Sequence, residues 1–175
     1  RGATGSRLPN MQNRIIFPPC TRWLTPGGAP SAAADSMAEY YARRARHVGL
    51  VVTEGVYLDL KGGTPYPDAS VFYGADALAD WRAVADAVHR EGGLIVPQIH
   101  HVGIQNPGPT LSPSGLTLKG KAVQAPASLA EIEGVKAAFV EAARNAARLG
   151  FDGVALHGAH GYLLHEFLWA GTHRR

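Results

Sequence analysis

A single cysteine, Cys20, leaves no partner for an internal disulfide in a chain of 175 residues, and that scarcity fits a reducing compartment. No apolar run approaches the roughly 20 residues that cross a bilayer, and no signal-like segment opens the sequence. A soluble, cytoplasmic protein with no membrane partner is the expectation. Charge is sparse as well. Charged residues make up 18% of the chain and the formal net charge is +3, without the lysine stripe or interleaved aromatics that nucleic-acid binding uses. Arg43, Arg44 and Arg46 cluster on what reads as a solvated helix face. The first strand-to-helix turn, "PPCTRWLTPGG", lacks the G-x-G-x-x-G loop of dinucleotide folds.

What the chain does have is a repeated alternation of apolar runs and amphipathic segments. Hydrophobic residues form 46% of it, enough for one globular domain with a sizeable core. "RIIF" (Arg14 to Phe17) reads as a first strand, followed by a Pro/Gly-rich loop. Ser36 with Glu39 reads as a capping box opening a helix in which Met37, Tyr40, Tyr41 and Val48 fall at roughly helical spacing. Gly49 ends it before a second strand, "LVVTEG" (Leu50 to Gly55). A helix from about Asp76 to Glu91, with Leu78, Trp81, Ala85 and Val88 on one face, stops at Gly92 and Gly93. "LIVPQI" (Leu94 to Ile99) is strand three. After a long Gly/Pro/Ser segment, Ser128 with Glu131 caps a third helix, with Leu129, Ile132, Val135, Phe139 and Ala143 inward. Gly150 closes it, and "FDGVALH" (Phe151 to His157) is strand four.

Nearly continuous apolar strands separated by helices argue for a parallel sheet with both faces covered. The fold class is α/β, with four βα units over residues 1–175 forming a single partial barrel domain. A closed eight-stranded barrel takes about 250 residues, so the length suits half of one. An open doubly wound sheet is the alternative. In either fold, ligands bind beyond the C-terminal strand ends. Those ends carry Thr21, Gly55, Gln98 with His100, and the cluster His157, His160 and Tyr162. Polar groups from four loops would thus face one side of the sheet. Trp23, in a strand-end loop, could wall a pocket there; Cys20 reads as a small buried filler beside strand one.

Two other patterns compete. His157, His160 and His165, with His100, His101 and Glu166 in reserve, could bind a metal, as in a metal-dependent barrel hydrolase; the H-E-x-x-H zinc helix is absent, and no metal is expected. "GLTLKGKA" (Gly115 to Ala122) nearly matches the phosphate-cradling G-x-x-x-x-G-K-[ST] loop. It lacks the closing Ser/Thr and follows a loop instead of a strand, so the match reads as chance.

The stretches "NRIIFPPCTRW", "EYYARRARHVGLVVTEG", Trp81 to Gly93, "VPQIHHVG" and "GFDGVALHGAHGYLLHEFLWAGTHRR" cover nearly the whole chain in order. Together they resemble the first half of the Old Yellow Enzyme family, flavin-dependent ene-reductases on a (β/α)8 barrel. The resemblance implies FMN as cofactor, NAD(P)H as reductant and an electron-poor alkene as substrate. It also implies roles. Thr21 is similar to the residue that hydrogen-bonds the flavin, with the backbone of Pro19 and Cys20 against the ring. Gly55 is similar to the small residue at the flavin edge, and Gln98 to the glutamine on its pyrimidine side. His157 and His160 resemble the pair that grips the substrate carbonyl oxygen, with Trp23 and His100 nearby. Tyr162 resembles the proton donor to the alkene.

The sequence departs from the family pattern at Ala155, where a glutamate is usual, at His100, where tryptophan is common, and at His173, where asparagine is usual. Strands five to eight, which in this family hold the FMN phosphate, have no counterpart in these residues. Four strands alone would leave one curved apolar face and two unpaired edges. The chain is therefore expected to be a fragment, or to pair with a complementing half barrel or with itself. A non-catalytic half-barrel remnant is the companion expectation.

Overall fold

The computed structural model describes residues 11–23, 25, 34–63 and 66–174. Strands β1 (Ile16–Phe17), β2 (Leu50–Tyr57), β3 (Ile95–His100) and β4 (Ala155–Leu156) form one parallel sheet in the order β1-β2-β3-β4. Helices α1 (Ala34–Ala45), α2 (Ala75–Arg90) and α3 (Leu129–Leu149) connect them, and α4 (Leu163–Leu168) follows β4. Each strand pairs with its chain neighbour after a helical crossover, the topology of the first half of a (β/α)8 barrel.

The core lies between one face of the sheet and the three long helices. Met37, Tyr41 and Ala45 of α1, Trp81, Val84 and Val88 of α2, and Ala142, Ala146 and Leu149 of α3 pack on Val51, Ile95 and Ile99. Trp81, wholly buried, satisfies its indole by donating to the Val71 carbonyl at 3.0 Å. On the opposite side, Ile16 and Leu156 of the outer strands remain about half exposed, at 51% and 57%. These are the strands whose outer edges have no partner among the described residues.

Local rules account for most boundaries. Pro18 and Pro19 lack the N–H that a ladder needs, and β1 stops before them. Ser128 and Glu131 close a reciprocal capping box at the start of α3, and Gly150 ends that helix at φ 85°. The Ser36 expectation fails: α1 already begins at Ala34, so Ser36 is inside the helix and not at its cap. Arg46 lies just beyond α1, where it pairs with Glu91 at 2.7 Å, and Arg44 reaches back to the Tyr40 carbonyl. On α3, Leu129 is 74% exposed, and Ala142 takes the buried position expected of Ala143. Cys20 is exposed, not a core filler; it follows the prolines, where the chain has left the sheet for its open rim. No helix among the described residues is long and apolar enough to cross a membrane.

Candidate active site

The four strand ends meet in a cleft of about 440 Å3. Pro19, Thr21 and Trp23 line it from the loop after β1, Gly55 and Tyr57 from β2, and Gln98 and His100 from β3. His157, His160 and Tyr162 come from the loop after β4. Nine of the ten residues singled out from the sequence therefore border one space. Cys20, the tenth, is not among the lining residues.

A register shift between Val52 and Gly55 sets the floor of the cleft. Such a bulge re-aims side chains where a sheet meets a site. Here it lets the Thr53 hydroxyl accept from the backbone N–H of Gln98 at 3.2 Å. Glu54, only 1% exposed, accepts from the Ser70 hydroxyl at 2.5 Å and from the Arg22 amide at 3.3 Å. The Arg22 guanidinium stands 3.6 Å from the same carboxylate. Since Arg22 follows Thr21 and Glu54 precedes Gly55, this buried pair ties the first two loops together. Sequence reasoning passed over Glu54, although a carboxylate inside an apolar strand needs a partner and so announces one.

His100 lies over Gly55: a Cβ there would stand 2.1 Å from the imidazole Cε1. Residue 55 must therefore be glycine to admit His100, a constraint different from the flavin edge inferred from the sequence. The His100 ring stacks on Tyr162, centroids 5.5 Å apart, and sits 5.4 Å from His157. Burial, then the nearby His157 and His101, pushes its pKa down to about 3, so it is neutral at pH 7. Its buried Nδ1 has no hydrogen-bond partner among the described residues.

The loop after β4 builds the rest. His157 Nδ1 accepts from the Ala159 amide at 3.3 Å, which leaves the proton on Nε2. Burial and the neighbouring His160 hold its pKa below the usual range. A neutral imidazole with Nε2–H is a hydrogen-bond donor into the cleft. His160 adopts φ 59° and Gly161 φ 74°, a left-handed turn that swings the His160 ring to 5.2 Å from that of His157. The Gln105 side-chain amide fixes this turn by donating to the His160 carbonyl at 2.5 Å. Tyr162 closes the group at 4.8 Å from His157.

His101 belongs to the scaffold. It accepts from the Gly103 amide at 3.0 Å, bonds the Lys61 carbonyl at 3.1 Å, and is held by burial at a pKa of about 4. Glu166, weighed above as a metal ligand, accepts from the Ile104 amide at 2.7 Å and joins α4 to the 3-10 turn Gly103–Gln105. A Cβ at Gly103 would meet its carboxylate at 1.8 Å, so glycine is required there. Among the described residues no group of three or more His, Cys, Asp or Glu side chains is placed to hold a metal ion.

Burial pushes the Glu166 pKa up to about 7, against the Ile104 amide and Ser112 hydroxyl that favour its charge. An unfolded glutamate ionises near 4.5. Between those values the folded chain holds a proton that the unfolded chain releases, so stability from this group falls as pH rises from 4.5 through 7. Glu166→Gln removes that cost. It is expected to stabilise the chain by about 3 kcal/mol at pH 8 and to change little at pH 4.5. Chemical denaturation at the two pH values checks this; an equal effect at both would contradict it.

Residues 7–175 match the model of the NADH:flavin oxidoreductase / NADH oxidase family. The chain belongs to that family. It is 37% identical to "Putative 12-oxophytodienoate reductase 6" of Oryza sativa subsp. japonica, covering 95% of this chain and 45% of that protein. It is 33% identical to "Flavin oxidoreductase hxnT" of Emericella nidulans, over 94% and 47%. Among solved structures it is similar to morphinone reductase in complex with tetrahydroNAD (TM-score 0.82, 30% identity, 94% of this chain and 50% of that one). It is likewise similar to the Old Yellow Enzyme from Pichia sp. AKU4542 (TM-score 0.80, 33% identity, 94% and 47%). The chain thus spans about half the length of the relatives it matches.

Proposed function

We propose that this chain is the flavin- and substrate-contacting half of an FMN-dependent ene-reductase, reducing electron-poor alkenes with NAD(P)H. One observation carries the proposal: two polar side chains and the cluster of His100, His157, His160 and Tyr162 border the same cleft. The Thr21 hydroxyl and the Gln98 amide make no side-chain hydrogen bond within the described residues, and both line the cleft. A flat heteroaromatic ring with a polar edge fits that donor set. Thr21 and Gln98 would hold the flavin ring, with the backbone of Pro19 and Cys20 along it and His100 at the side of Gly55. When bound, FMN supplies the hydride and the protein supplies orientation.

The substrate chemistry falls to the chain's own residues. Hydride addition at the β-carbon of an enone drives negative charge onto the carbonyl oxygen. His157 and His160, donating to that oxygen, stabilise the charge where it develops. Tyr162 delivers a proton to the α-carbon as general acid. His100, neutral and with a free ring nitrogen, offers a further polar contact to the bound molecule. Trp23 packs edge-on against Tyr66 at 4.5 Å and walls the opening.

The half-exposed Ile16 and Leu156 support a second part of the proposal. Residues 1–175 form one partial barrel domain, and a complementing half barrel, or a second copy, covers the outer strands in the working protein. Absorbance of the purified chain after addition of FMN and desalting tests the proposal. Retained bands of oxidised flavin are expected; a colourless chain that cannot hold FMN alone or with a complementing half would contradict it.

A further inference from the structure

The three histidines that follow β4 do not share one task. The Ala159 carbonyl accepts from the Tyr162 amide at 3.1 Å, which closes a four-residue turn. Its central residues, His160 and Gly161, stand at φ 59° and φ 74°. Positive φ at both centres defines the type I′ turn, which Asn-Gly and Gly-Gly pairs form most readily. Gly161 adopts it freely, whereas His160 carries a Cβ that disfavours it. Yet this conformation brings the His160 imidazole to 5.2 Å from that of His157, in the cleft that both line.

The peptide that joins His160 to Gly161 is gripped at both ends. Gln105 Nε2 donates to its carbonyl at 2.5 Å, and His165 Nδ1 accepts from its N–H at 3.0 Å. The two side chains reach it from different elements, Gln105 from the 3-10 turn and His165 from α4. Each is fixed in its turn. Glu166 of α4 accepts from the neighbouring Ile104 amide at 2.7 Å, and the His165 ring stacks on Trp169, centroids 6.0 Å and planes 13° apart. Gly161 is buried against Leu118, where an amide left without an acceptor is costly.

We propose that Gln105 and His165 are positioning residues for the reaction: together they lock the His160–Gly161 peptide and so preorganise the His160 imidazole as the second donor to the substrate oxygen. The proposal rests on the carbonyl-clamp reading above. Donors held in place beforehand need no reorganisation as charge develops on that oxygen. With either grip gone, the peptide is free to rotate, His160 relaxes toward negative φ, and its ring leaves His157. His165, offered by sequence spacing as a third metal ligand, thus takes a different part. To accept from Gly161 its Nδ1 must be unprotonated, so the ring carries its proton on Nε2.

NMR of the flavin-free chain and phenol titration of the flavin-loaded chain test this with three substitutions. Gln105→Met keeps the length and loses the donor, His165→Ala loses the acceptor, and His165→Asn offers an amide oxygen in place of Nδ1. In the free chain, Gln105→Met and His165→Ala should abolish the nuclear Overhauser contact between the His157 and His160 rings. His165→Ala should also speed exchange of the Gly161 amide by about two- to tenfold, the span of one hydrogen bond. In the loaded chain the same two variants should each weaken phenol binding by about two- to tenfold with flavin content unchanged. His165→Asn should restore the ring contact, the slow exchange and the affinity. In a His160→Ala background neither Gln105→Met nor His165→Ala should cost anything further, because the donor that they place is gone. Losses that add in that background mark a general loosening of the fold and would overturn the proposal. So would a ring contact or a phenol affinity that survives both variants, or a His165→Asn chain as impaired as His165→Ala. A wild type that holds neither flavin nor phenol sinks the reductase reading alone, and the ring contact and amide exchange then decide this proposal.

Discussion

Tyr162→Phe should slow alkene reduction in the flavin-loaded protein by about a hundred- to ten-thousandfold, the range for losing a general acid, while NAD(P)H still reduces the flavin at the wild-type rate. The asymmetry follows from geometry. Tyr162 stands 4.8 Å from His157, on the clamp side of the cleft, while Thr21 and Gln98 approach from the first and third loops. Removing the phenol oxygen leaves the ring stack with His100 in place, so binding should survive. Stopped-flow measurement of the two half-reactions distinguishes the outcomes. Equal slowing of both would mean that Tyr162 shapes the site and carries no proton.

The paired imidazoles should matter on a similar scale. His157→Ala with His160→Ala removes both donors to the developing oxyanion, and about a hundred- to thousandfold loss in turnover is expected for a missing donor of this kind. Phenols, whose oxygen mimics the enolate, give a reading free of turnover. Their affinity for the flavin-loaded protein should fall by a similar factor, with flavin content unchanged. Burial and the neighbouring His160 hold the His157 pKa below the usual histidine range, which favours the uncharged ring at that donor. Unaltered phenol affinity in the double variant would remove the clamp from the mechanism.

The order of elements was legible because it depends on short-range rules. Apolar strands, helix periodicity, the Ser128–Glu131 box and the Gly150 stop all act within a few residues. The rule that sites form at C-terminal strand ends, together with the family resemblance, singled out ten residues, and nine of them border one cleft. Errors arose where tertiary context outweighs local pattern. Ser36 has the capping spacing, yet the helix starts at Ala34. Cys20 is apolar enough to bury, but it follows Pro18–Pro19 out onto the rim. Leu129 fits the helical stripe, yet it stays 74% exposed while Ile132 of the same turn packs on Leu111, Ala127 and Leu163.

The supporting groups were harder still to see. Glu54, Arg22 and Ser70 meet across 16 to 32 residues of chain, and Gln105 reaches His160 across 55. No periodicity encodes such contacts. Only the chemical oddity of a carboxylate in "LVVTEG", or of Glu166 in "LLHEFL", hints at them. Gly55 was singled out as the small residue at a flavin edge; the neighbour that a Cβ there would meet is the His100 ring, a contact between strands that no local pattern encodes.

A crystal structure of the chain with FMN and a simple phenol bound tests most directly whether Thr21, Gln98, His157, His160 and Tyr162 serve one ligand pair. The expected result is the flavin ring in hydrogen-bond reach of Thr21 and Gln98, with the phenol oxygen about 2.7–3.2 Å from both His157 and His160. A flavin bound away from the strand ends, or a phenol whose oxygen faces neither imidazole, would contradict it.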